Sequence, residues 1–207
     1  MQRQSLVQSR REVAFGDSAA FFSYRFDHDD GTVPMLAEAR NYVEHWAEMR
    51  QNGMGLLFWG LPGNGKTFAA ACIANALCET MKDVRMVTLA AVLNRLPAMS
   101  AEDKLYYLQS LKNCDLLILD DFGMERRTDY AREQVFNLID GRYLSGRPLI
   151  VTTNLSLQDL KDPADMTEQR IFDRILERCV PICFDGPSLR QHKAKKTMAR
   201  YKELSGR

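Results

Sequence analysis

The chain has no apolar run long enough to cross a bilayer. Apolar stretches such as Met54–Gly60 and Leu116–Leu119 stop far short of the roughly 20 residues a membrane helix needs. No signal-peptide core follows Met1, because Gln2, Arg3, Gln4 and Arg10-Arg11 interrupt it. The five cysteines (Cys72, Cys78, Cys114, Cys179, Cys183) include no Cys-x-x-Cys pair, and no histidine sits near them at zinc-site spacing. Cys179 and Cys183 fall on one face of a strand, where a metal or a redox pair is conceivable, but small buried apolar residues account for all five. There is no internal repeat, low-complexity tract or linker rich in proline, glycine or serine. The 207 residues, 45% hydrophobic and 27% charged, have ordinary globular proportions. These features predict a soluble, cytoplasmic, single-domain protein without membrane contact.

The net charge of +1 conceals an uneven distribution: Arg190–Arg207 carries +6 and Met1–Val13 carries +2, which leaves −7 for Ala14–Leu189. A basic terminal segment of this kind either contacts nucleic acid or forms a solvated helix face.

The apolar pattern alternates between strands and helices. The first thirty residues lack clear periodicity. Pro34 to about Gln51 has helical spacing through Leu36, Ala39, Val43 and Trp46. Met54–Trp59 reads as a strand buried on both faces, Lys66–Glu79 as a helix and Val84–Leu89 as a strand. Helices follow over Ala90–Leu96 and Ala101–Lys112, the second opened by a cap at Ser100. Leu116–Leu119 is a strand ending at Asp120 and Asp121, Asp129–Tyr143 a helix and Leu149–Thr153 a strand. A helix over Glu168–Arg178 leads into the strand Cys179–Phe184, which Pro181 assigns to a sheet edge. Pro187 to about Leu204 is the basic terminal helix. Such alternation predicts a five-stranded parallel sheet flanked by helices, with ligands at the carboxyl ends of the strands.

The notable residues fall at those ends. Gly60-Leu61-Pro62-Gly63-Asn64-Gly65-Lys66-Thr67 fits the G-x-x-x-x-G-K-[ST] phosphate loop between a strand and a helix. Its glycines let backbone N–H groups face phosphate oxygens, Lys66 reaches the β- and γ-phosphates, and Thr67 offers a hydroxyl to Mg²⁺. Asp120 ends an apolar strand as a magnesium-holding carboxylate does. Asp121 either orients and deprotonates the attacking water or caps the next turn. Asn154, ending a third apolar strand, either positions that water and senses the γ-phosphate or caps the turn before Ser156. Arg170, Arg174 and Arg178 lie four apart on one helix face, and spacing alone does not choose among them.

In order, GLPGNGKT, LLILDDFG, IVTTN, RIFDR and GPSLR resemble the AAA+ ATPases of the DnaC/IstB group, the bacterial and phage replicative-helicase loaders and transposition-associated ATPases. The resemblance runs from about Phe22 to Arg200 and is strongest to the DnaC-like loaders of phages and mobile elements. It implies an AAA+ P-loop fold that binds Mg-ATP and hydrolyses it slowly. It further implies that Lys66 and Thr67 belong to Walker A, Asp120 and Asp121 to Walker B, and Asn154 to sensor 1. Arg174 then matches the arginine finger, which reaches the ATP of a neighbouring subunit and so makes a homo-oligomer. Arg190 resembles the sensor 2 arginine, acting on ATP in its own subunit. The two short helices before Leu116 occupy the place of the helical insertion of initiator-type relatives, where Arg95, Lys104, Tyr106 and Tyr107 are candidates to hold single-stranded DNA.

On this reading residues 1–33 are an N-terminal arm and 34–207 the ATPase domain with its basic terminal helix. Loaders of this group usually carry an N-terminal partner-binding domain, often zinc-binding. The roughly fifty residues before the phosphate-loop strand hold no zinc-ligand cluster, so the expectation is either a truncated or minimal form or a partner contact elsewhere. The implied partners are a replicative helicase and single-stranded DNA. The alternatives are an IstB-like transposition helper on duplex DNA and an ATP-dependent binding switch with negligible turnover. A small-molecule P-loop kinase fits less well, since it has no use for Asn154 and Arg174 in this order.

Overall fold

The computed structural model describes residues 2–16, 18–29, 31, 33, 35–123, 128–163, 165–186 and 188–205, without the side chains of His192 and Lys193. Five strands form one all-parallel sheet: β1 (Gly55–Trp59), β2 (Val84–Thr88), β3 (Leu116–Phe122), β4 (Leu149–Thr153) and β5 (Cys179–Cys183). Their order is β2-β3-β4-β1-β5, so β5 lies at an edge and Pro181 stands where its missing N–H is tolerated.

Side-chain alternation divides the core into two layers. Leu56, Phe58, Leu116, Ile118 and Ile150 face one side. They pack there against α1 (Gln2–Phe15), α2 (Leu36–Glu44) and the alanine-rich α4 (Lys66–Glu79), while α3 (Trp46–Gln51) adds Trp46. Leu57, Leu117, Leu119 and Val151 face the other side. That layer holds α5 (Leu89–Arg95), α6 (Ala101–Asn113), α7 (Asp129–Leu144), α8 (Leu157–Lys161) and α9 (Met166–Arg178). A last helix, α10, spans Leu189–Ser205. Among the described residues no helix is long and apolar enough to cross a membrane.

Several elements depart from the sequence pattern. Residues 2–15 are helical although their periodicity is weak, because only Arg11, Ala14 and Phe15, all near one end, are buried. The helix expected from Pro34 to Gln51 is two helices. They divide at His45, whose ring nitrogen and backbone N–H both meet the Asn41 carbonyl and close the first helix on itself; Pro34 lies outside the described residues. β3 continues past Leu119 and includes both aspartates. α8 was not visible in the periodicity, being one turn long, and is opened by a reciprocal cap between Ser156 and Asp159. The expected cap at Ser100 is present, its hydroxyl accepting the Asp103 N–H.

Beneath the sheet, Arg142 of α7 is fully buried, and its guanidinium is ringed by carbonyl oxygens. It donates to Lys112 (2.9 Å), Cys114 (2.7 Å), Asp115 (3.0 Å) and Pro148 (2.6 Å), joining the end of α6 to the starts of β3 and β4. Burial pushes its pKa down to about 10, which still leaves it charged at neutral pH. Arg142→Met removes these hydrogen bonds and is expected to cost about 3–5 kcal/mol, read as a fall of roughly 6–20 °C in the thermal midpoint. A fall of less than about 2 °C would show that the cluster does not hold these elements together.

Candidate functional site

The carboxyl ends of β3, β4 and β1 lie side by side at one end of the sheet. After β1 the chain turns at Gly60 (φ +132°), where an added Cβ would stand 2.4 Å from the Phe184 carbonyl oxygen, so only glycine fits. Gly65 (φ +96°) caps α4 in the left-handed region, with Val33 and Leu189 pressed against it. The loop is pinned from both sides. The buried Asn64 amide donates to the Phe184 carbonyl (2.9 Å), and the Leu189 N–H donates to the Gly63 carbonyl (2.9 Å), which brings the start of α10 and Arg190 beside the loop. Pro62 is exposed on its outer side.

Lys66 is buried and donates to the carbonyls of Gly60 (2.7 Å) and Leu61 (2.8 Å). Burial lowers its pKa; the Asp121 carboxylate opposes that shift more strongly than Asp120 does, and Arg190 adds to it. Both aspartates lie near enough to act on this ammonium group electrostatically, and their pairing with the neighbouring strand departs from regular alternation.

The explanation is a β-bulge. Leu119 pairs with Val151 and Phe122 with Thr153, so Asp120 and Asp121 together stand opposite Thr152. Asp121 takes up a left-handed conformation (φ +54°), which aspartate tolerates better than most residues. Beyond the bulge the parity of β3 is reversed: Phe122 packs with Leu117 and Leu119, against Phe172.

Asp120 Oδ1 accepts two hydroxyl hydrogen bonds, from Thr67 (3.0 Å) and Thr152 (2.7 Å). Its pKa is raised, mainly by burial, against the lowering effect of those bonds. A hydroxyl and a carboxylate at this distance are hard oxygen donors, the set magnesium prefers when phosphate and water complete its shell. Thr67 and Asp120 thus fit Mg²⁺. Among the described residues no three His, Cys, Asp or Glu cluster as a metal site that needs no such completion.

Asn154 follows β4, half-buried. The turn-capping role open to it from spacing is filled by its neighbours: Thr153 accepts the Leu155 N–H (3.1 Å), and Ser156 caps α8. Arg174 points away from the phosphate loop toward α7, where it pairs with Asp140 (2.7 Å) and stacks on Phe136 and Tyr143. Arg178 stacks on Tyr143, and Arg170 is exposed beside a groove between α7 and α9. Arg95 of α5 stacks on the half-buried Tyr107 of α6, while Leu105 and Tyr106 are 59% and 76% exposed. Cys179 is buried, with its thiol on the Leu149 carbonyl, and all five cysteines are free.

The sequence reading missed Thr152, Thr153 and Asp140. Two hydroxyls inside the otherwise apolar Leu149–Thr153 were the available signal for the first pair; nothing local marks Asp140.

A family model described as IstB-like ATP binding protein matches residues 4–197. The chain belongs to that family. It is 29% identical over 163 residues to the replicative helicase loader DnaC of Escherichia coli (strain K12). That alignment covers 76% of this chain and 63% of the relative, so the chain corresponds to less than two thirds of the relative's length. Identity to DnaC of Buchnera aphidicola subsp. Schizaphis graminum is 28% over 182 residues, covering 84% and 70%. Among solved structures, the DnaC helicase loader superposes with a TM-score of 0.68 at 24% identity, covering 80% of this chain and 99% of that one. AMPPCP-bound DnaA from Aquifex aeolicus gives 0.63 at 15%, covering 86% and 55%. These superpositions show that the chain shares the fold of those proteins, a parallel sheet of five strands flanked by helices.

For this IstB-like chain the raised pKa of Asp120 has a measurable consequence. A carboxylate whose folded pKa lies above its unfolded value destabilises the fold in its charged form, and that destabilisation is relieved as pH falls through the folded value. Asp120→Asn removes that charge while keeping an oxygen for both hydroxyls. Without nucleotide it is expected to melt at or above the wild type; a midpoint lower by more than about 3 °C would contradict this.

Proposed function

We propose that this chain is a slow ATPase that assists DNA replication as a helicase loader does, acting on single-stranded DNA and a replicative helicase. The observation that carries the proposal is the hydrogen bond from Thr67 to Asp120 (3.0 Å), which joins the phosphate loop to the bulged strand end that carries Asp120 and Asp121. Residues 60–67 cradle the phosphates through backbone N–H groups, with Gly60, Pro62, Gly63, Asn64 and Gly65 shaping the loop. Lys66 neutralises the β- and γ-phosphates, and Thr67 and Asp120 hold Mg²⁺, which offsets phosphate charge when bound. Asp121 orients the attacking water and accepts its proton, while Asn154 fixes that water against the γ-phosphate. Arg190, beside the loop, stabilises charge in its own subunit.

Arg174 completes the site of a neighbouring copy, making ATP the link between subunits. Its position on α9, away from its own phosphate loop and braced by Asp140, supports a role in trans. Residues 34–207 are the ATPase domain and residues 1–33 an arm clasped to it through α1. The exposed Leu105 and Tyr106 of α6, with Lys104, support a contact with unstacked bases. The likeness to loaders named DnaC supports the helicase as partner, whereas the IstB-like family model keeps a transposition helper on duplex DNA as the second reading.

ATP turnover and binding to labelled single-stranded and duplex DNA, at one fixed salt concentration, test this for the wild type, Lys66→Ala and Arg174→Ala. Expected are turnover lost in both variants and ATP-dependent preference for single strands in the wild type only. Preference for duplex would favour the transposition helper, and wild-type turnover no greater than that of Lys66→Ala would refute the ATPase.

A further inference from the structure

We propose that Thr152 is a positioning residue of the ATP site, its buried hydroxyl holding Asp120 against the phosphate loop and fixing the bulge that carries Asp121. The inference rests on the ATPase reading above.

Thr152 lies in β4, between β3 and β1, and has no solvent exposure. A buried hydroxyl must be hydrogen-bonded, and this one is used in both directions. It donates to Asp120 Oδ1 (2.7 Å) and accepts the Asp121 N–H (3.0 Å). The second bond answers a specific deficit. In a bulge two residues oppose one, so the ladder leaves an amide without its regular partner, and here the Thr152 side chain takes it.

The next residue completes the clamp. Thr153 points to the opposite layer and donates to the Phe122 carbonyl (2.8 Å), fixing the residue at which pairing resumes. Between these two anchors Asp121 is held at φ +54°. Without the extra residue, alternation would send Asp121 toward α7 and α9 with Leu117 and Leu119, and Phe122 toward α4. The same hydroxyl shares Asp120 Oδ1 with Thr67, so it also sets the carboxylate against the loop threonine.

The test compares wild type, Thr152→Val and Thr152→Ser. One readout is single-turnover ATP hydrolysis. The other is the affinity for an N-methylanthraniloyl derivative of ATP, measured with magnesium and with EDTA. Thr152→Val keeps the shape and removes the hydroxyl. It is expected to slow hydrolysis roughly 10- to 100-fold and to lose most of the magnesium-dependent gain in affinity, with affinity in EDTA held within about twofold. Thr152→Ser restores the hydroxyl and is expected to recover most of both. If circular dichroism shows Thr152→Val to be unfolded, Thr152→Ala, which puts no methyl group against Asp120, carries the same expectations. A hydroxyl-free variant with the wild-type magnesium gain, or a serine variant as defective as valine, would overturn the proposal. A wild type without turnover would defeat the ATPase reading, while the magnesium gain would still report on the hydroxyl.

Discussion

Two residues of β3 stand opposite one residue of β4, and the chemistry of the site depends on that mismatch. A regular strand can present only alternate side chains to a ligand. The bulge breaks the alternation at the one place where two consecutive carboxylates are needed, and a left-handed Asp121 accommodates it. The cost is local, because the sheet on either side keeps its parallel register and its two apolar layers. Bulges next to active sites commonly re-aim side chains in this way.

The phosphate loop is built to the same standard of preorganisation. Asn64 and Leu189 anchor it to the end of β5 and the start of α10, so its glycines hold their positive φ values before any ligand arrives. Lys66 meanwhile rests on two loop carbonyls, neutral acceptors that an anionic phosphate outcompetes as a partner for an ammonium ion. In the opposite direction Arg142 ties the far ends of β3 and β4 to α6, the helix that carries the exposed Tyr106. The site and the surface proposed to meet DNA are thus mounted on the same two strands.

Much of this was legible in the sequence. The phosphate loop, the buried strands and the alanine-rich helix after the loop announce themselves through local spacing, and Pro181 marked the edge strand correctly. What escaped was non-local or weakly patterned. α1 buries too few residues to leave a stripe, and the break at His45 depends on a side chain closing its own helix. The bulge is a relation between two strands far apart in sequence, so LLILDDFG alone reads as a strand that stops at its carboxylates. Asp140 gains meaning only when α7 meets α9 and places it on Arg174. The family pattern supplied residues such as Arg174 and Arg190 that spacing could not choose, but it did not supply Thr152.

The central claim is that the phosphate loop and the bulged strand end form one magnesium-nucleotide site. Calorimetric titration of the wild-type chain with ATP, in magnesium and in EDTA, tests it most directly. The account predicts one site per chain, with affinity at least about tenfold stronger when magnesium is present. Equal affinity in both conditions would mean that Thr67 and Asp120 do not act together on the nucleotide's metal, and would contradict it.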